Sequence, residues 1–447
     1  MKPTRELESL QPVSRISSVS NVDDLRLLCE NEFKRTSMVN RADELPKFKY
    51  EEIVQGKFLG KGGFATVYEV RGFDLFRSSR HSHFSTGMAD ASDLSDHDDE
   101  DDKVFDAFVV RNREFLSRHC IRHGGGEARF AVKRLRADVR GNHDKKLSGM
   151  ADIARECHFL GMIDHPNIVR LRAVSLDSKF DDGYFIIIDR LYDTLTKRLE
   201  TWRKQKKSVS GVMKHLRDRK GVRRAKLGED VTMAQFELAS ALSYLHSKKI
   251  IYRDLKSDNI GFDIRGDLRL FDLGLAKELQ PEDSVGDDGL YLLTECCGTP
   301  RYMASEVATG KPYNEACDVY SFGLLCWQMA SLKLPYEKYT LSRLQGEVWS
   351  APYNRPPINK KWPEFFKRLL CESWNHSVKH RPTMKEIEQI LAKEVGKHKK
   401  EFDLRSHLMK RRSSMVLHKV ESMRIAGGKN VSTGHDLHVS NPHIQQQ

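Results

Sequence analysis

The stretch IIYRDLKSDNIGF, residues 250–262, sets Asp254 and Asn259 five positions apart with Lys256 between them and apolar residues at both ends. Asp and Asn favour turns because their side chains bond nearby backbone, so a plain turn is one reading. The other is that an acid, a cation and an amide are gathered on one loop to face a single group. The segment alone leaves both open, and the rest of the chain has to decide.

With 447 residues, 39% of them hydrophobic and 31% charged, the chain has a globular composition and length enough for two or three domains. No apolar run approaches the ~20 residues of a membrane span, and the opening MKPTRELESLQ lacks the apolar core of a secretory signal. Eight cysteines without C-x-x-C or zinc-like spacing imply reduced thiols, hence a cytoplasmic protein with the nucleus as the alternative. A net charge of +12 suggests nucleic acid at first sight. The charge, however, lies in blocks: eleven Lys or Arg in residues 203–226, KHKK and MKRRSS in the tail, and against them the acidic DASDLSDHDDEDD at 90–102. Such blocks read as solvated segments, or as a localisation signal or docking site, and nucleic acid is not expected.

Residues 1–51 are polar and Ser-rich and are expected to be disordered. FLGKGGFATVYEVRGF (58–73) has two β-rich arms around glycines and reads as a hairpin. Residues 71–126 lose apolar periodicity and read as a solvated insertion, after which ARFAVKRL (128–135) resumes a strand. Residues 148–163 have helical spacing, NIVRLRAVSLD and YFIIIDRL read as strands, and the chain beyond 191 is mostly helical. A second insertion is expected at 203–228 and a basic disordered tail at 396–447.

Gly60-Lys61-Gly62-Gly63-Phe64-Ala65 fits G-x-G-x-x-G/A, which is ambiguous by itself. A dinucleotide site needs a helix directly afterwards. Here Thr-Val-Tyr-Glu-Val follows, a strand signal, so the loop reads as a lid over phosphates or as a simple hairpin turn. Lys133, central in an apolar strand, needs an anion to offset its burial: a phosphate under the lid, or a carboxylate such as Glu156 in the next helix, unless the side chain snorkels from an edge. In LRLFDLGLAKEL (268–279), Asp272 ends a strand-like run, and with Asn259 it offers the hard oxygen donors Mg²⁺ prefers.

Taken in order, these segments resemble the eukaryotic protein kinases of Ser/Thr type. GKGGFATV resembles the glycine-rich loop, AVK the strand lysine, Glu156 the helix glutamate, YRDLKSDN the catalytic loop, DLG (272–274) the metal-binding motif and ASE (304–306) the A-P-E segment. The resemblance covers residues 52–395 and implies an α+β, two-lobed fold, with a β-rich lobe carrying one main helix and a helical lobe carrying Asp318 and a Glu306–Arg381 pair. It departs from the family pattern at Ala65, Tyr252, Leu273 and Ser305, none of which removes a group that touches phosphate, metal or the transferred proton.

The resemblance also implies roles. ATP would lie under Leu59, Gly60, Lys61, Gly62, Gly63, Phe64, Ala65, Thr66 and Val67, with its phosphates on Lys133 oriented by Glu156, and its adenine at the hinge Asp189–Leu191 behind Ile188. Asp272 and Asn259 would hold Mg²⁺; Asp254 would take the proton of a Ser or Thr hydroxyl on a protein substrate, with Lys256 beside the γ-phosphate. DVYSFGLLCWQMA and HRPTMKEI resemble the tyrosine-kinase-like group. Arg253 calls for an anion, and a phosphate placed on Thr294 by an upstream kinase or by the protein itself is the expected source, the acidic run at 282–288 being the alternative. A silent scaffold and a dinucleotide-dependent oxidoreductase are the competing functions, disfavoured by intact Lys133, Asp254 and Asp272 and by the strand after Ala65.

Overall fold

The computed structural model describes residues 19–75, 111–122, 126–208, 222–351 and 353–398. The acidic run at 90–102, half of the 203–228 insertion (209–221) and the tail from 399 lie outside them.

The first lobe is a six-stranded sheet in the order β1-β5-β6-β4-β3-β2, made of β1 Lys47–Phe48, β2 Ile53–Lys61, β3 Ala65–Phe73, β4 Phe130–Leu135, β5 Leu171–Ser175 and β6 Phe185–Asp189. Only β1 and β5 pair in parallel; the other pairs are antiparallel. Register places Lys133 opposite Val67 on one side and Ile186 on the other, so the lysine is on a central strand and not an edge. That removes the snorkelling alternative.

Three helices flank the sheet: α1 (Val22–Lys34), α2 (residues 111–118) and α3 (His143–Met162). Asn142 caps α3 by accepting from Lys145 N. Two of these helices correct the sequence reading. Residues 1–51 are not uniformly unstructured: Asn21 caps α1, and Leu25 and Cys29 are fully buried beneath it. Nor is 71–126 wholly a solvated excursion. β3 runs on to Phe73, and Leu116 and Cys120 join Phe48, Val70, Val132 and Phe185 in the core of the lobe. Arg113 of α2 pairs with buried Glu52 and lies over the Phe48 ring at 5.0 Å. The physical reason is how few positions are buried, Leu25 and Cys29 in α1 and Leu116 in α2 with Cys120 just beyond it, which is too brief a pattern to register as periodicity.

The second lobe is built on α4 (Leu195–Ser208), α5 (Val222–Ser247), α6 (Ala316–Ser331), α7 (Glu364–Ser373) and α8 (Met384–His398). The expected insertion at 203–228 is thus shorter, since α4 reaches 208 and α5 starts at 222. α6 is buried all round, with Phe322, Leu324, Leu325 and Cys326 at zero exposure. Small strands complete the lobe: β7 Asp193–Thr194, β8 Ile250–Ile251, β9 Ile260–Phe262, β10 Leu268–Leu270 and β11 Lys277–Glu278. β9 and β10 form an antiparallel ribbon flanking the catalytic-loop candidate, and β11 pairs antiparallel with β8 just before it. All eight cysteines are free, and among the described residues no helix is long and apolar enough to cross a membrane.

Leu116→Ala tests whether α2 belongs to the core. Large-to-small changes at buried leucines cost about 2–5 kcal/mol, so urea unfolding should show a loss in that range. A change below about 0.5 kcal/mol, the span of ordinary surface substitutions, would mean that α2 is only laid on the surface.

Candidate active site

Two clusters of side chains form where the lobes meet. In the first, Lys133 Nζ donates to Glu156 Oε2 and, at 2.9 Å, to Asp272 Oδ1. Sheet, helix and the segment after β10 are joined at one ammonium. Burial alone would lower the Lys133 pKa, but the carboxylates of Asp272 and Glu156 outweigh it and hold it above its ordinary value. Burial raises Glu156, whereas the same ammonium, against the pull of burial, holds Asp272 below the usual carboxylate range. Asp272 therefore stays ionised, with 40% of its side chain exposed towards the space between the lobes.

In the second cluster, Asp254 is 8% exposed and nearly saturated. Lys256 Nζ donates to Oδ2 at 2.7 Å, Asn259 Nδ2 to the same oxygen at 3.0 Å, and Thr299 Oγ1 to Oδ1 at 2.7 Å. Asn259 Nδ2 also bonds the Asp254 carbonyl at 3.0 Å, which fixes the amide with its oxygen as the remaining donor atom. Thr299, 45 residues further along the chain, is thus placed directly on Asp254.

The loop is held by strain and its compensation. Arg253 and Asp272 have φ of 68° and 65°, the left-handed region that disfavours residues with a Cβ. Asp318 at the start of α6 offsets this by accepting from Tyr252 N and Arg253 N, each at 2.8 Å, and it also pairs with His246 Nε2 at 2.9 Å. Gly298 (φ 99°) is required because any Cβ there would collide with the Arg253 carbonyl. Arg253 itself donates to Leu275 O at 2.7 Å and reaches Tyr313 Oη at 3.4 Å. Tyr313 Oη in turn donates to Thr294 O at 2.7 Å, so the Thr294 backbone, not its hydroxyl, is what the structure links towards Arg253.

The glycine loop spans the turn between β2 and β3, closed by Gly62 N donating to Ala65 O at 2.8 Å. A Cβ at Gly60 or Gly63 would meet nothing within 4 Å. Protein packing therefore does not demand those glycines, and close approach of a ligand is what remains to explain them. Arg136 Nη1 fixes the tip through Gly62 O at 2.9 Å and Gly63 O at 2.7 Å. Phe64 turns inward onto α3, where only a glycine, Gly149, leaves room for it. Lys61 is exposed and reaches Asp138 at 3.4 Å, while Leu59, Thr66 and Val67 line the two strands. At the far side, Asp189 ends β6 with its carboxylate on Arg172 at 2.7 and 3.0 Å, and Leu191 packs against Gly261 of β9. Arg190 between them is anchored to Glu69 at 2.8 Å and Glu127 at 2.7 Å.

Among the described residues no three His, Cys, Asp or Glu side chains cluster as a metal site. Asp272 and the Asn259 amide oxygen are two hard donors, which fits a Mg²⁺ completed by phosphate oxygens and water.

The protein kinase domain family matches residues 118–393, a span that holds Lys133, Glu156, Asp254, Asn259 and Asp272. The chain belongs to that family. Similar proteins include CBL-interacting serine/threonine-protein kinase 16 of Arabidopsis thaliana, 30% identical over 266 residues that make up 58% of this chain and 50% of the relative. Also similar are cAMP-dependent protein kinase type 3 of Saccharomyces cerevisiae (28% over 290 residues, 62% and 64%) and serine/threonine-protein kinase STY46 of Arabidopsis thaliana (37% over 164 residues, 36% and 27%). The chain spans less than two thirds of the length of these relatives. The kinase fold makes the departures legible. Tyr252 is 1% exposed and its hydroxyl donates to Phe271 O, while Leu273 is fully buried. Ser305 is buried beside Glu306, which Arg381 Nη2 holds at 3.0 Å.

Half-buried Asp152 on α3 is a group the sequence reading passed over. It lies against Gly274. Burial first, and then the nearby Asp272 charge, push its pKa from 3.8 to about 7 despite Arg155. Between these values the folded state keeps a proton that the unfolded state releases, so stability falls as pH rises from about 4 to about 7. Asp152→Asn removes the titration. Its melting temperature should pull ahead of wild type across that window and hold a constant lead above it; a lead independent of pH would refute the assignment.

Proposed function

We propose that this kinase transfers the γ-phosphoryl group of Mg-ATP to Ser or Thr hydroxyls of protein substrates. The observation that carries the reading is the ion triad of Lys133 with Glu156 and Asp272, since a buried ammonium shared by a helix and a loop is the arrangement needed to hold phosphate between two lobes. Asp254, fixed by three donors, is the base candidate. Its Oδ1–Thr299 and Oδ2–Lys256 bonds leave it oriented for an incoming hydroxyl of a flexible Ser or Thr side chain.

In the reaction so proposed, the substrate oxygen bonds to the γ-phosphorus as its proton passes to Asp254. The bond from γ-phosphorus to the bridging oxygen breaks, and its electron pair leaves with ADP. Lys133 and Lys256 neutralise phosphate charge on the two sides of the transfer, and the backbone of Gly60–Ala65 covers it against water. Asp272 and Asn259 would hold Mg²⁺, which supplies charge neutralisation on the phosphates when bound. Ile188, Asp189 and Leu191 would frame the adenine. Expected partners are protein substrates; neither nucleic acid nor a membrane span enters the reading.

Purified full-length protein incubated with Mg-ATP and a generic basic protein, followed by phosphoamino-acid analysis, tests the whole reading: phosphoserine or phosphothreonine supports it, and phosphotyrosine alone or no transfer refutes it. Asp254→Asn should keep the fold and ATP binding but lower turnover by roughly 10²–10⁴, the span for losing a positioned base. Asp272→Ala should instead abolish productive Mg-ATP binding. Near-full turnover in Asp254→Asn would remove that residue from its assigned role.

A further inference from the structure

α1 precedes every kinase motif, yet it is packed on the helix that carries Glu156. Leu25 and Cys29 are fully buried at this contact, and Phe33 stacks on His158 of α3 with ring centroids 4.1 Å apart. Its last turn also reaches the segment that begins at Asp272. Arg35 pairs with Glu282 at 3.1 Å and Asp283 at 3.5 Å, and Ser37 Oγ donates to Glu278 Oε1 at 2.6 Å. At the centre of these contacts is Glu32. Its Oε2 accepts from Arg155 Nε at 3.1 Å, and its Oε1 from Lys277 Nζ at 3.5 Å. All three side chains are mostly buried, at 20%, 14% and 19% exposure.

The connections of the two cations give this carboxylate its reach. Arg155 immediately precedes Glu156 on α3, so fixing the guanidinium restrains the turn of helix from which Glu156 reaches Lys133. Lys277 lies on β11, five residues beyond Asp272, and β11 pairs with β8, which leads directly into Arg253 and Asp254. Arg253 contributes too: after burial, Arg155 and Lys277, its charge lowers the Glu32 pKa further. Two cations, one from α3 and one from the segment that begins at Asp272, thus meet on one acid. The acidic run of the activation segment is engaged elsewhere, Glu282 and Asp283 with Arg35 and Asp288 with Lys379 at 2.8 Å.

We infer that Glu32 is a positioning residue for phosphoryl transfer, supplying from the N-terminal helix the anion that aligns α3 with the activation segment, so that no phosphate on that segment is needed. This rests on the proposed kinase activity and adds to it the regulation of the site. A carboxylate carried by the chain is permanent, whereas a phosphate on Thr294 would have to be added. The contact that Thr294 makes with Tyr313 is through its carbonyl, whereas Glu32 meets two cations through its side chain.

The test compares full-length wild type, Glu32→Gln, Glu32→Asp, Arg155→Gln and Thr294→Ala, all phosphatase-treated beforehand. Wild type and Thr294→Ala should be equally active after dephosphorylation. Glu32→Gln should lose roughly ten- to hundredfold in kcat, the worth of a charge-assisted bond or two, with KM for ATP within about twofold, because the phosphate-binding groups are untouched. Glu32→Asp should recover part of the loss. Arg155→Gln should match Glu32→Gln, and the double variant should be little worse than either single. Hydrogen exchange over residues 143–162 and 272–298 should quicken in Glu32→Gln and not in Thr294→Ala. Loss of activity on dephosphorylation or in Thr294→Ala overturns the inference, as do wild-type kcat and exchange in Glu32→Gln. A wild type that phosphorylates nothing defeats the proposed function instead, and the exchange comparison then decides this inference alone.

Discussion

A lysine on the central strand of a sheet is an expensive thing to bury. Lys133 has apolar neighbours on both flanking strands, and its ammonium is tolerable only because Glu156 and Asp272 bring compensating charge from two other parts of the chain. Desolvation sets the terms. Removing one carboxylate would leave the buried ammonium tied to only one other part of the chain, so the triad couples helix and loop to the sheet. The relation between the lobes is therefore tied to a single ion triad, and each further feature of the site serves either to hold its members or to aim the groups beside it.

The catalytic loop shows the same economy in its backbone. Two residues with side chains, Arg253 and Asp272, sit in left-handed conformations that each cost of order 1–3 kcal/mol. The structure over-determines them. Asp318 accepts two successive backbone amides at Tyr252 and Arg253, and Gly298 lets the activation segment run close enough to support the loop from the other side. Asp254 then projects from a rigid frame, its two oxygens assigned to Lys256, Asn259 and Thr299 before any substrate arrives. Pre-orientation of this kind is what converts a carboxylate into a base aimed at one place.

Much of this was legible in the sequence because the chemistry is local. Asp254, Lys256 and Asn259 fall within six residues, and the loop between two β-rich arms declared its glycines. The resemblance supplied one distant pair, Glu306 with Arg381, but the sequence did not show that Lys133 meets Asp272, 139 residues away, or Glu32 Lys277, 245 away. The helices α1 and α2 lie between these cases. Asn21 followed by Asp23, Asp24 and a terminal Lys34 is a helix signature that local rules do contain. It was outweighed by the polar composition around it. α2 gave still less, since Leu116 in it and Cys120 just past its end are the buried pair, and burial against Phe48 and Val70 is decided by tertiary packing.

The departures from the family pattern follow from the same physics. Where the pattern has a histidine, Tyr252 is buried and hydrogen-bonds the carbonyl of Phe271, the residue just before Asp272. The tyrosine thus ties the catalytic loop to the chain one residue before the metal-ligand candidate, and Leu273, one residue after it, is fully buried. Ser305 gives up the rigidity of a proline, but its hydroxyl lies 3.3 Å from Glu306, whose carboxylate is held in turn by a buried Arg381. In both places a lost constraint is offset by a bond to a group that is itself fixed. The substitutions change how the site is held, and each holds it through a bond between the loop and a buried neighbour.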